Sequence, residues 1–316
     1  KTALSFVMFL PKDFIQTAQG LLFAVVASGI EENKVRCFLR YVRHQDGQWR
    51  KIATNDANAL LTAHYPFYCF HSPLLDAFLH GVALDAITHH YQPTERLTQL
   101  LHQKSHDAIE KDCVDLCRLF ERQGIDLSKV GVTGSLLISQ QNANSDIDLV
   151  CYDLAVFTQC RAGLRELIAQ NALTDLSETD WLAAYQRRDC DLDFQSYVWH
   201  ERRKYNKALI NGRKFDLSLV ELQPVSLTSY RKCGAITLSV QVIDDTRAFC
   251  YPAEFQLAHP RIQRVVCFTA TYTGQAMVGE TIEIAGMLEE DEHGNQRIVV
   301  GSSREAQGEY IKVIRQ

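Results

Sequence analysis

The stretch GVTGSLLISQQNANSDIDLVCY, residues 131–152, decides how this chain is read. It reads as strand, glycine turn, short helix and second strand, and the second strand carries Asp146 and Asp148 on either side of Ile147. Residues i and i+2 of a strand project from one face. The two aspartates therefore point together, while Ile147, Leu149 and Cys151 pack on the other side. Carboxylates held close are costly to bury unless a cation joins them. Mg²⁺ takes oxygen ligands and commonly keeps phosphate oxygens among them. Upstream, Gly134-Ser135 sits where the strand KVGVT hands over to a helix, and a helix start offers free N–H groups to phosphate.

Working outward, the chain has 316 residues, enough for two or three domains, and a net charge of −5. That balance gives no reason to expect a general nucleic-acid binder. The basic charge is local: residues 199–214, WHERRKYNKALINGRK, hold six Lys and Arg against one Glu. By default such a run is a solvated helix face. Its functional reading is contact with a triphosphate, through Lys204 or Lys207, or with nucleic acid. The ten cysteines include no C-x-x-C pair, which points to reduced thiols and a cytoplasmic protein. LLFAVVASGI at 21–30 is too short for a membrane span and reads as a buried strand. No signal peptide and no membrane partner are expected.

Before the central stretch, GLLFAVV, KVRCFLRYV and WRKIA predict strands, the last two joined by an Asp-Gly hairpin. TNDANALLTAHY predicts a helix. Ser72-Pro73 predicts the start of a second helix running to Tyr91, with Pro93 closing the segment. One long helix is expected from Thr94 to Gly124. After DIDLVCY come helices near 155–170 and 178–188 and a basic one near 198–209. An Asn211-Gly212 turn and the strand RKFDLSLVEL follow. Beyond Lys232, several short strands predict a small antiparallel barrel.

Gly134-Ser135, ten intervening residues and then Asp146-Ile147-Asp148 resemble the signature of the DNA polymerase β-like nucleotidyltransferase superfamily. More loosely, DFIQTAQGLLFAVV, GVTGSLL, HERRKYN and VGSSREAQGEYIKV resemble prokaryotic proteins described only as having a nucleotidyltransferase domain. The superfamily resemblance implies an α+β chain in three parts. These are an N-terminal α+β module (1–93), a nucleotidyltransferase domain with a mixed sheet and helices (94–232), and a small C-terminal β-barrel (233–316). It implies transfer of a nucleoside monophosphate from an NTP, ATP by default, with release of pyrophosphate. Mg²⁺ or Mn²⁺ would sit on Asp146, Asp148 and a third carboxylate, and Gly134 and Ser135 would hold the β- and γ-phosphates. The third carboxylate is expected at Asp216, with Ser218 on its face and Phe215, Leu217 and Leu219 opposite; Asp193 competes. The acceptor is left open among RNA, a small molecule and a protein. A non-catalytic nucleotide- or RNA-binding protein retaining this fold is the alternative.

Overall fold

A computed structural model describes residues 8–188, 190–221, 228–303 and 306–315. The protein is mixed α+β, with three sheets that follow one another along the chain. Among the described residues, no helix is long and apolar enough to cross a membrane.

The first sheet is built from β1 (Phe14–Thr17), β2 (Leu21–Glu31), β3 (Lys34–Arg43), β4 (Trp49–Lys51), β5 (Cys69–Ser72), β6 (Ala77–Ala83) and β7 (Ile87–Tyr91), with α1 (Thr54–His64) between β4 and β5. Its order is β5-β6-β3-β2-β1-β7, with β4 also on β3. One face buries Ile15, Phe23, Val35 and Leu39 against Ala57 and Leu61 of α1.

The helix expected from Ser72 to Tyr91 is instead β5, β6 and β7. Ser72 starts a turn and not a helix: its hydroxyl donates to the buried Glu31 carboxylate at 2.7 Å and accepts the Leu75 N–H at 3.2 Å. Gly81, in the middle of β6, lets that strand lie against Phe70, where a Cβ would come within 2.9 Å of the side chain. Pairing on both edges of β6 outweighs the local helix signal.

Pro93 opens a helix and does not close a segment. It is the first residue of α2 (Pro93–His102), where its missing N–H is harmless. The expected helix from 94 to 124 is two helices, α2 and α3 (Ala108–Arg122). Asp107 caps α3 with both halves of a capping box, its partner being Glu110. Arg96 of α2 donates to Glu110 at 2.7 Å and so ties the two helices together.

The second sheet contains β8 (Val130–Thr133), then α4 (Gly134–Leu137), β9 (Ile147–Cys151), α5 (Leu154–Ala169), α6 (Glu178–Arg188), α7 (Phe194–Arg202), β10 (Lys207–Ile210) and β11 (Arg213–Leu219). Its order is β10-β11-β9-β8, and only β11 and β9 run parallel. Phe215, Leu217, Leu219, Ile147, Leu149 and Val132 face a core shared with α2, α3 and α5. The basic helix expected near 198–209 ends at Arg202. Asn211-Gly212 folds residues 207–210 back on β11 as a hairpin.

The third sheet contains β12 (Tyr230–Asp244), β13 (Ala253–Leu257), β14 (Ile262–Cys267), β15 (Thr281–Asp291), β16 (Gln296–Val300) and β17 (Tyr310–Val313). The order β12-β13-β14-β16-β15 closes on itself through β12–β15, and β17 lengthens the wall beside β15. It is a small barrel, although not antiparallel throughout, because β14 and β16 run parallel. Trp181 of α6 and Tyr197 of α7 pack into the barrel's core.

Candidate functional site

One row of residues crosses the second sheet. Lys207 of β10 lies opposite Asp216 of β11, Asp216 opposite Asp148 of β9, and Asp148 opposite Thr133 of β8. Residues opposite one another in a ladder share a face. The row therefore lies on the face turned away from Phe215 and Leu149 and their helices. β9 and β11 run parallel in register, which sets two carboxylates side by side at about the 4.8 Å separation of neighbouring strands. Asp146, just ahead of β9, has an Arg187 guanidinium 3.7 Å away.

Gly134 follows Thr133 directly, with φ +66, a left-handed conformation that favours glycine. A Cβ there would come within 2.3 Å of Asp148 Oδ2. The glycine of the Gly-Ser pair thus has a steric reason in this chain, since any side chain there would push against the Asp148 carboxylate in a strained left-handed turn. The helix it opens is a single turn, too short for the helix-end field expected from the sequence.

The row faces a cavity of about 300 Å³ walled by all three parts of the chain. Pro11, Lys12 and Phe14 come from the N-terminal part, Thr133, Gly134, Asp148, Arg188, Lys207 and Asp216 from the centre, and Phe249 and Tyr251 from the barrel. Two of the contacts that hold the walls together lie beside the cavity. Phe14, Leu22 and Tyr41, on the face of the first sheet opposite α1, pack on Leu137 and Ile138 beyond Gly134. Arg161 of α5 lies 3.9 Å from the centre of the Phe249 ring.

The electrostatics are strained in one direction. Burial pushes the Asp148 carboxyl up to about 6; Asp216 and Asp146 push the same way, and Lys12 opposes them. Asp146 is raised too, by burial first, with Arg187 opposing and Asp216 adding to the rise. Burial lowers the Lys12 ammonium against the pull of Asp148 and Asp216. Burial also works against the Arg188 charge, but Asp216 and Glu201 outweigh it and hold that guanidinium above its ordinary value.

The site residues expected from sequence divide into two groups. Asp148, Asp216, Gly134 and Lys207 line the cavity, whereas Asp146, Ser135 and Lys204 lie outside its lining. Lys204, expected at a triphosphate, is turned inward with its side chain 1% exposed. Its ammonium donates to Glu201 and to the Thr271 carbonyl of the barrel at 2.8 Å, so it serves the junction and not a ligand. Glu201 also pairs with Lys207 at 2.6 Å and is held down to about 2 by these two lysines, which outweigh its burial. Asp193 stands apart as the cap of α7, accepting from the Ser196 N–H at 2.8 Å and hydroxyl at 2.7 Å. Those bonds hold its carboxyl below the usual range. Lys12, Arg188 and Tyr251 were not foreseen, because no local pattern marks a residue that reaches a site through docking.

Among the described residues, no three His, Cys, Asp or Glu side chains gather closely enough to hold a metal ion by themselves. The donor chemistry nevertheless fits Mg²⁺, which is commonly held by one or two carboxylates together with substrate phosphates. Asp148 and Asp216 are such a pair, and the raised Asp148 marks charge that a cation would relieve.

No family model matches the chain, and no solved structure matches it. An uncharacterised protein of Methanocaldococcus jannaschii is 32% identical over 345 residues, an alignment that spans 96% of this chain and 98% of that protein.

Proposed function

The chain belongs to one family with that Methanocaldococcus jannaschii protein, and we propose that it is a metal-dependent nucleotidyltransferase with a polymerase β-like core. The observation that carries this reading is the in-register pair Asp148–Asp216 on parallel strands, beside a glycine whose left-handed turn passes close over the Asp148 carboxylate. The motif spacing from Gly134 to Asp148 supports it.

In the reaction, an acceptor hydroxyl oxygen attacks the α-phosphorus of an NTP. The bond from that phosphorus to the bridging oxygen breaks, and its electron pair leaves with pyrophosphate. Mg²⁺ or Mn²⁺ bound at the carboxylates would neutralise phosphate charge and orient the attacking and leaving oxygens in line. Asp148 and Asp216 would hold the metal, and Asp146 would add negative charge beside them. Asp216 sits nearest the acceptor and takes the proton of its hydroxyl. Gly134 lets the phosphates approach the backbone. The barrel and the N-terminal sheet bound the space left for the acceptor, whose class is open.

Calorimetry with each NTP, with and without Mg²⁺, tests the reading. Binding should require the metal and disappear in Asp148→Asn. Failure of all NTPs to bind at millimolar concentration with metal present would falsify it.

A further inference from the structure

Among the described residues, Lys12 is the one N-terminal charge that lines the cavity, and it is held there by an over-determined loop. Its φ is +80, a conformation that disfavours any side-chain-bearing residue and persists only where the surroundings enforce it. The enforcement is visible. The Lys12 N–H donates to the Val25 carbonyl at 3.1 Å, and Val25 returns a bond to Asp13 at 2.9 Å. The Thr133 hydroxyl, in the same row as Asp148, donates to the Lys12 carbonyl at 2.7 Å. Next door, Asp13 accepts from the Leu10 N–H at 3.0 Å and pairs with His90 at 2.8 Å.

What this loop delivers is an ammonium without a partner of its own kind. Among the described residues, the Lys12 ammonium makes no hydrogen bond and no ion pair; it stands 5.6 Å from the centre of the Tyr251 ring. It is attracted by Asp148 and Asp216 but held short of both. The Lys12 side chain is half-buried where it lines the cavity, and its ammonium has three donors to satisfy there. An anion in the cavity would meet both its charge and its donors. Two carboxylates in the same cavity would repel a bare anion, so the anion must carry its own cation. A metal-complexed polyphosphate meets both conditions.

We propose that Lys12 binds the polyphosphate chain of the substrate, so that the N-terminal part of the protein completes the nucleotide site. This rests on the nucleotidyl reading only for the identity of the polyphosphate as an NTP. Lys12 meets the β- and γ-phosphates, the part that departs as pyrophosphate, and offsets the charge that gathers there as the bond to the α-phosphorus breaks. Arg188 supplies a second cation on the Asp216 side. The N-terminal sheet is then a wall of the substrate pocket as well as a candidate surface for the acceptor.

The test measures binding of Mg²⁺-tripolyphosphate and of each Mg²⁺-NTP by calorimetry, and of Mn²⁺ alone by electron paramagnetic resonance. The proteins are wild type, Lys12→Met and Lys12→Arg. Lys12→Met should bind both polyphosphates roughly 10- to 100-fold more weakly, the worth of one charge-assisted hydrogen bond. Its Mn²⁺ affinity should stay the same or rise, because a competing cation is gone. Lys12→Arg should recover most of the polyphosphate affinity. Circular dichroism and melting check folding, and Lys12→Gln replaces Lys12→Met if the latter does not fold.

Unchanged polyphosphate binding in Lys12→Met overturns the Lys12 assignment and leaves the nucleotidyl reading standing. Wild type that holds tripolyphosphate but no NTP, with the loss in Lys12→Met, supports Lys12 and sinks the nucleotidyl reading. Wild type that binds neither overturns the Lys12 assignment, and the Mn²⁺ signal then reports separately whether the carboxylates hold metal.

Discussion

At the scale of single residues, the site joins a steric constraint to an electrostatic one. Gly134→Ala must place a Cβ against Asp148 Oδ2 in a left-handed conformation. The backbone alone costs about 1–2 kcal/mol, and the carboxylate must move as well. Urea unfolding should show that loss, and metal-supported NTP binding should fall further than stability does. Asp148→Asn should act in the opposite direction on stability. The folded carboxyl titrates at about 6, above the roughly 3.9 of an unfolded aspartate. Its favourable contribution is therefore complete below the unfolded value and is lost as pH rises through 6. At neutral pH without metal, the substitution should raise stability by up to about 3 kcal/mol, seen as a melting temperature several degrees higher. A melting temperature lower than that of wild type would show that Asp148 is not held under repulsion. Asp148, Asp216 and Gly134 could be picked out for the cavity because residue type and spacing mark them, although Asp146, marked in the same way, lies outside its lining. Lys204 was misjudged because a lysine in a basic run gives no sign of an inward partner such as Glu201.

At the scale of elements, the differences from expectation have one origin. Strand pairing and caps are decided by residues far away or by signals that a run of helix formers hides. The capping box at Asp107–Glu110 was present in the sequence, inside what read as a continuous helix. Asp107→Ala should cost about 1 kcal/mol, measurable as a lower urea midpoint. For β5 to β7, no nearby residue announced that Gly81 would lie against Phe70. The junction of α7 with β17 carries a pH dependence of its own. His200 Nδ1–H donates to the Ser196 carbonyl at 2.6 Å, and Nε2 accepts the Val313 N–H at 3.1 Å. Burial, with help from Lys204, Arg203 and Arg315, pulls this imidazole down to about 4. An unfolded histidine titrates near 6.5, so the unfolded chain takes up the proton first. Stability is fully present above 6.5 and is lost as pH falls towards 4, by roughly 3 kcal/mol in all. Asp148 contributes the opposite slope over much of this range, so the His200 contribution is read as the difference in unfolding midpoint between wild type and His200→Gln from pH 7 to 4, which should change by this amount. An equal slope in the variant would assign the pH dependence to other groups.

At the scale of the whole molecule, the three parts share surfaces that a division by sequence does not reveal. The boundary near residue 232 follows the change from helices to strands, but Trp181 and Tyr197 lie before it and pack in the barrel's core. Phe249, in turn, packs against both the barrel and the central core. Phe249→Ala should cost less than the roughly 3–5 kcal/mol of a fully buried phenylalanine, because the ring is only partly buried. It should also weaken nucleotide binding, because the ring walls the cavity; differential scanning calorimetry and NTP titration read the two effects. A full loss of stability with nucleotide affinity intact would mean that the barrel is not needed to close the site. The cavity's walls are drawn from Pro11 at one end of the sequence and Thr273 near the other. During synthesis the chain emerges from its amino end, and domains fold largely as they appear. Lys12 is then made long before Asp148, Asp216 comes later still, and Tyr251 arrives last of the four. Until the strands around Tyr251 have been made, a growing chain holds only part of this wall, however long ago Lys12 emerged.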